Sequence, residues 1–262
     1  MGGMSFKAAF FDIDNTLFDY SKMRFTPSAL ECIRRFQEKG GKAFIVSARC
    51  YDLIRSFGLF DLGVKWDGWS AFCGGITHIG HKCVNKLLVP VGLVKKMIGY
   101  CNAHGGRMEV LGLKNRILTG NINRAIVDYH KHYIQPYAPS GKYKGGEVVG
   151  CVIYAYEDFD EGFMKAFPEV TYHRYCDWAV DVSCHPHRNK GLACKTILDA
   201  IGIGKDEAIA FGDDTPDIFM KDSCKELVIV GNGRDEAKAR ATYVAEPISE
   251  DGIAKAFAHF DI

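Results

Sequence analysis

Residues 10–17 read FFDIDNTL, with Asp12 and Asp14 two positions apart at the end of an apolar run. In a strand, positions i and i+2 share a face, so both carboxylates lean the same way. Two carboxylates so placed suit a hard cation such as Mg²⁺. They also suit a division of labour between a nucleophile and a proton-transfer group. An Asx-rich turn without chemistry is the plainer alternative. Asn15, Thr16 and Leu17 continue as a turn whose backbone N–H groups can hold an anion. Residues 208–220, AIAFGDDTPDIFM, repeat the pattern, with Asp213, Asp214 and Asp217 following an apolar run. Two such strands side by side gather several carboxylates at one edge, an arrangement that like-charge repulsion forbids without a cation.

Three further residues bear on the same chemistry. Ser47 ends an apolar run in IVSAR. Its hydroxyl can donate to a phosphate oxygen, although capping the helix that follows is the commoner role. Arg49 pairs either with an anion or with a surface carboxylate. Lys190, in RNKGLA, opens a helix where the dipole disfavours a cation, a placement that makes sense if the ammonium holds an anion. Cys184-His185-Pro186-His187 contains zinc-type ligands, but no second cluster follows at ligand spacing, so it reads as a connecting segment.

The elements that carry these residues alternate. An apolar strand over 6–12 is followed by a helix from Thr26-Pro27 to about Lys39, stopped by Gly40-Gly41, then by the strand KAFIV at 42–46 and a short helix near 51–57. This is a β-α-β unit, which implies a parallel sheet with a right-handed crossover. The far end repeats it: helix 190–201, strand 207–211, helix 215–221, strand LVIV at 227–230, helix 234–240, strand TYVA at 242–245 and a last helix over 249–259. The expected fold is α/β, a doubly wound parallel sheet whose ligands bind outside the carboxyl ends of its strands. The middle differs, with clustered aromatics and histidines, Gly105-Gly106, Gly145-Gly146 and a clear strand at 148–156. It reads as an inserted α+β domain. The expected organisation is core 1–76, insertion 77–186 and core 187–262.

Composition narrows the partners. A formal net charge of +1 over 262 residues, with no basic stripe, argues against nucleic acid. No run approaches the roughly 18 apolar residues of a membrane span, and the N-terminus meets an aspartate too early for a signal peptide. Ten cysteines without a C-x-x-C pair read as reduced thiols, so the expected location is cytoplasmic. Residues 1–3 read as an addition ahead of a natural start at Met4.

The order D-x-D-x-T-L, then a strand-ending Ser47, then Lys190, then G-D-x-x-x-D resembles the haloacid dehalogenase-like (HAD) hydrolase superfamily. The insertion between Ser47 and Lys190 looks like a type IIB cap, which points to the Cof-type phosphatases. The tail GNGRDEAKARATYVAEPISEDGIAKAF is similar to that group's ending. The resemblance implies a Rossmann-like core with an α+β cap. It implies Asp12 as nucleophile, forming an aspartyl-phosphate, and Asp14 as the acid and then the base. It implies Mg²⁺ held by Asp12, the Asp14 backbone carbonyl and Asp213, with Asp217 close by, and Ser47, Lys190 and the turn at Asn15 on the phosphoryl oxygens.

Three departures stand out. Ser47-Ala48-Arg49 replaces the family's Thr-Gly-Arg and keeps the hydroxyl. Pro216 replaces an asparagine near the metal, with Asp214 as the candidate to compensate. Cys73-Gly74-Gly75 replaces Asn-Gly-Ala. The insertion offers Arg107, Glu109, Arg116, Asn121, Asn123, His130, His132, Tyr133 and Tyr137 for substrate recognition, although surface or packing roles are the commoner fate of such residues. The resulting expectation is a Mg²⁺-dependent phosphatase acting on a small phosphorylated metabolite, most simply a sugar phosphate. A phosphomannomutase-like mutase and an inactive phosphometabolite-binding protein are the alternatives.

Overall fold

The computed structural model describes residues 5–133 and 135–262, so the expected start at Met4 lies outside the described residues. The chain forms two compact units. One holds the described residues up to Arg49 together with Ile54–Asn85 and Arg188–Ile262, and the other holds Cys50–Leu53 and Lys86–His187.

The first unit is built on β1 (Ala8–Phe11), a small hairpin of β2 (Phe18–Asp19) and β3 (Arg24–Phe25), and α1 (Pro27–Glu38). Then come β4 (Lys42–Val46), α2 (Tyr51–Ser56), of which Tyr51–Leu53 belong to the second unit, β5 (Gly68–Ala71), β6 (Ile76–Ile79) and β7 (Lys82–Lys86). Pro27 occupies the first turn of α1, where its missing N–H costs nothing, while Thr26 makes no side-chain cap bond. Ala29, Leu30, Ile33 and Phe36 line the buried side of α1 at helical spacing. Gly40, at φ 94°, ends it in the left-handed region.

The second unit contains α3 (Val91–Ala103), β8 (Arg107–Gly112), β9 (Arg116–Thr119), α4 (Arg124–His132), β10 (Val148–Tyr154), α5 (Asp160–Ala166), β11 (Thr171–Cys176) and β12 (Ala179–Ser183). Its five-stranded sheet has the order β11-β12-β10-β8-β9, and every pair is antiparallel. Met97, Cys101 and Phe163 from α3 and α5 pack with Met108, Cys151, Ile153 and Val180. Ala125, Ile126 and Tyr129 of α4 form a second cluster with Leu118, Tyr154 and Ala179. This is the expected α+β insertion.

The chain then returns to the first unit through α6 (Lys190–Ile201), β13 (Ala208–Gly212), β14 (Glu226–Ile229), α7 (Asp235–Lys238), β15 (Tyr243–Val244) and α8 (Gly252–His259). The core sheet has eight strands in the order β15-β14-β13-β1-β4-β5-β6-β7. It is parallel from β15 to β5, and β6 joins antiparallel to β5. The expected boundary at residue 77 therefore falls inside a core strand. Residues 76–85 complete the sheet because the short hairpin after Ala71 lets β6 pair with β5 at once. The expected helix over 215–221 is a 3₁₀ segment, Thr215–Asp222.

Both faces of the parallel sheet are covered, as near-continuous apolar strands require. Ala8 and Phe10 pack with Phe44, Val46, Ala193, Ile197 and Ala210 on the α6 side. Phe11, next along the strand, points the other way and stacks on Phe211 at 4.9 Å, and Phe257 of α8 lies 5.4 Å from Phe211. Period-2 alternation along β1 thus feeds two cores. Replacing Phe211, which is fully buried, by alanine is expected to cost about 3–5 kcal/mol. Urea unfolding followed by tryptophan fluorescence checks this, and a change below about 1 kcal/mol would mean that the stack is not a principal support.

Candidate active site

Three parallel strands deliver the chemistry. Phe11 of β1 is in register with Phe211 of β13 and Ile45 of β4. The residues just past these strand ends, Asp12, Asp213 and Ser47, consequently emerge at one edge of the sheet. The Asp12 backbone N–H still donates to the Phe211 carbonyl at 3.0 Å, which fixes its height. Lys190 arrives from the first position of α6, whose cap is Asn189, with Oδ1 accepting from the Leu192 N–H at 2.8 Å.

Lys190 Nζ donates to Asp12 Oδ1 at 2.6 Å and to Asp217 Oδ1 at 2.5 Å. All three side chains are almost wholly buried. Asp217 Oδ2 accepts from the Asp213 and Asp214 backbone N–H groups at 2.9 and 3.0 Å, so both of its oxygens are engaged. Thr16 Oγ1 donates to Asp213 Oδ1 at 3.0 Å. Asp12, Asp213 and Asp217 each offer an oxygen within 4.8 Å of the others, and they form the sole candidate metal-binding group among the described residues. A β-carbon on Gly212 would stand 2.4 Å from Asp217 Cβ, so this approach needs glycine there.

One ammonium faces three buried carboxylates. Burial pushes the Asp12 carboxyl up to about 7, against the pull of Lys190 and with the push of Asp217 and Asp14. Burial first, then Asp12 and Asp217, push Asp213 up to about 9. Burial lowers the Lys190 value, but Asp12 and Asp217 overcome it and hold the ammonium charged well above its ordinary range. Burial therefore works against the ionised forms of Asp12 and Asp213, with one ammonium to offset it. An all-oxygen, anionic, buried donor set of this kind fits a hard divalent cation.

Asp14 lies elsewhere. Arg49 Nε donates to its Oδ2 at 2.8 Å and Arg49 Nη2 to its Oδ1 at 2.6 Å, while Tyr20 Oη donates to Oδ1 at 2.5 Å. Burial pushes the Asp14 value up, but these partners outweigh it and hold the carboxyl below its ordinary value. The Asp14 side chain is therefore not among the clustered carboxylates, and a share of a metal site could come only from its backbone. Asn15, at φ 52°, is exposed, and its carbonyl accepts from Asn232 Nδ2 at 2.9 Å. Ser47 is fully buried, and its Oγ accepts from the Arg49 N–H at 3.1 Å. It caps a turn, not α2, and its hydroxyl proton remains directed by its own rotation. Asp214 caps the 3₁₀ segment through Thr215 and meets Arg234 Nε at 2.9 Å, so it does not stand in for the residue replaced by Pro216.

Thr16, Tyr20 and Asn232 were not singled out from sequence as side chains of this site. Thr16 lies within the quoted DNTL, but Tyr20 and Asn232 reach it only through the β2–β3 hairpin and the turn after β14. Arg49 had two candidate partners, an anion or a surface carboxylate, and takes a part-buried one.

In the second unit, Arg116 donates to Glu109 Oε1 and Asp52 Oδ2, both at 3.1 Å, and to the Pro136 carbonyl at 2.7 Å. Tyr154 Oη donates to Glu109 Oε2 at 2.8 Å. Asn123 caps α4, and Arg107 donates to the Asn121 and Gly106 carbonyls. His130 stacks on Tyr137 at 3.8 Å, and His185 Nε2 lies 3.1 Å from the Leu88 carbonyl oxygen.

Because both raised carboxyls keep protons that the unfolded chain releases near 3.8, their stabilisation is fullest below that value and is lost as pH rises through about 7 and 9. Each contributes a slope of up to about 1.4 kcal/mol per pH unit in that interval. Protein in EDTA is expected to melt progressively lower from pH 6 to pH 9, and Mg²⁺ is expected to remove most of that fall. Identical melting curves with and without Mg²⁺ at pH 8 would contradict this charge balance.

Comparison with known proteins identifies the family of the chain. A model of the haloacid dehalogenase-like hydrolases matches residues 9–257. YkrA of Bacillus subtilis, a provisionally named phosphatase, is 26% identical over 262 residues that cover 97% of each chain. Among solved structures, the HAD subclass IIB sugar phosphatase BT4131 is 26% identical, with a TM-score of 0.81 over 97% of this chain and 99% of its own. A second structure, from a study of a trigonal-bipyramidal intermediate in a phosphoryl-transfer superfamily, is 27% identical, with a TM-score of 0.83 over 98% and 99%.

Proposed function

We propose a reaction from the premise that the family match supplies: the chain belongs to the haloacid dehalogenase-like hydrolase family and is a phosphoric monoester hydrolase. It hydrolyses a small phosphorylated metabolite through a phosphoryl group carried on Asp12, with Mg²⁺ as cofactor. The observation that carries this reading is the buried Lys190 ammonium bridging Asp12 and Asp217 beside Asp213 at the carboxyl end of the parallel strands.

An Asp12 oxygen attacks phosphorus, the bond to the ester oxygen breaks, and the electron pair leaves with that oxygen. Asp14 takes up a proton from solvent and gives it to the departing oxygen. Water then attacks the same phosphorus and passes its proton to Asp14, and the bond to Asp12 breaks to release inorganic phosphate. Asp12, Asp213 and Asp217 would hold the cation, which supplies charge neutralisation while one anion approaches another. Lys190 and the Ser47 hydroxyl hold phosphoryl oxygens, and Asp217 fixes Lys190 through its own pair of backbone bonds. A sugar phosphate is the proposed substrate class, because a relative of similar length and fold is a sugar phosphatase.

Purified protein with Mg²⁺ is expected to release phosphate from p-nitrophenyl phosphate. Asp12→Asn is expected to lower this by roughly 10⁴-fold or more, and Lys190→Ala by roughly 10²–10³-fold. A colorimetric phosphate assay on this ester and on a panel of sugar phosphates checks both. Wild type that releases no phosphate from any of them with Mg²⁺ would end the reading.

A further inference from the structure

The β2–β3 hairpin carries a side chain that no step above uses. Tyr20 lies in the turn after β2, and its hydroxyl sits at the junction of two stronger partners. It donates to Asp14 Oδ1 at 2.5 Å and accepts from Arg49 Nη2 at 2.6 Å. Arg49 in turn grips both Asp14 oxygens. The three groups form a closed triangle in which each touches the other two.

The triangle has a rigid seat. The Arg49 guanidinium lies over the Phe57 ring at 4.1 Å from its centroid, and its side chain is only 11% exposed. The Phe18 ring lies 5.0 Å from both Tyr20 and Phe57 in edge-to-face geometry, and Phe25 lies 5.1 Å from Phe18. The hairpin pairing of Phe18 with Phe25 sets these rings. An aromatic wall therefore locks the rotamers of both the phenol and the guanidinium. A carboxylate bound by such locked partners loses its own rotation.

The lone pairs add a direction. Asp14 Oδ1 accepts two bonds, from Tyr20 and Arg49, whereas Oδ2 accepts one, from Arg49. A carboxylate oxygen offers about two acceptor positions, so Oδ2 is the atom left with room. On the phosphatase reading, we propose that Tyr20 and Arg49 are positioning residues that fix Asp14 with Oδ2 presented to the ester and water oxygens. Neither touches the reacting atoms. Their effect is to hold the proton-transfer carboxylate in one orientation, apart from the carboxylates that surround Lys190.

The test uses two esters of similar shape. Departing p-nitrophenolate needs no proton, whereas phenol, with a pKa of about 10, leaves well only if protonated. The first phosphoryl transfer is timed by quenched flow with enzyme in excess and Mg²⁺ present, for p-nitrophenyl phosphate and phenyl phosphate. Tyr20→Phe keeps the ring in the aromatic wall and removes only the hydroxyl. It is expected to slow transfer from phenyl phosphate at least about 10-fold more than from p-nitrophenyl phosphate, within the roughly 10²–10⁴-fold value of a general acid. Asp14→Asn is expected to show the same selectivity in larger measure, and adding Tyr20→Phe to it is expected to change nothing further. Arg49→Lys, which keeps charge but loses the fork, is expected to behave like Tyr20→Phe. An equal loss on both esters, no loss, or an additive loss in the Asp14→Asn background would overturn the proposal. Wild type inactive on both esters would instead overturn the phosphatase reading on which it rests.

Discussion

The buried ammonium of Lys190 is the constraint around which the rest of the core is arranged. Each ion removed from water costs several kcal/mol, and only close, well-directed partners recover that cost. Asp12 and Asp217 provide them at 2.6 and 2.5 Å. Asp217 is held in turn by two backbone N–H groups, and its approach depends on the bare α-carbon of Gly212. The same lysine leaves the site short of positive charge. With Asp213 added, three carboxylates face one cation, and burial drives two of them toward the protonated form. In the proposed reaction a divalent cation and a substrate phosphoryl group would complete that balance from opposite sides, making a site for phosphoryl transfer of a strand edge that looks unfavourable in isolation.

Topology sets the distances. Parallel pairing of β1 with β13 and β4 places the residues after Phe11, Gly212 and Val46 at one edge. The Phe11–Phe211 stack and the α6-side cluster anchor the two faces of those strands. Asp14, two residues beyond Asp12, escapes the cluster because Arg49 and Tyr20 draw its carboxylate to the hairpin side. Two neighbouring aspartates thus acquire opposite electrostatic settings, one pushed up by burial and one held down by a guanidinium and a phenol.

Much of this was legible from the residues. Apolar runs ending in D-x-D and G-D-D, separated by helical segments, carry the parallel sheet and its carboxylate edge, because strand period and chain order leave few alternatives. Lys190 was legible as a cation placed against a helix dipole. The extent of the core was not. Residues 77–85 carry His78, His81 and Lys82 and read as part of the insertion, whereas the structure pairs them as β6 and β7. A half-exposed edge hairpin has no apolar run to betray it. Tyr20 was illegible for another reason. Its partners are 6 and 29 residues away, and only the hairpin and the end of β4 bring them together. Glu109 and Arg116 were read as candidates for a ligand, yet each is spent on the other and on Tyr154, Asp52 and Pro136.

In the proposed reaction Asp12, held by Lys190, carries the phosphoryl group. Turnover of p-nitrophenyl phosphate with Mg²⁺ can be stopped with acid, the protein reduced with borohydride, and residue 12 read by mass spectrometry. A phosphorylated carboxyl at Asp12 is reduced to homoserine, and that conversion is expected at this position alone and only when Mg²⁺ and substrate are both present. Phosphate released at full rate while residue 12 remains aspartate would contradict it, since water would then be attacking the ester directly.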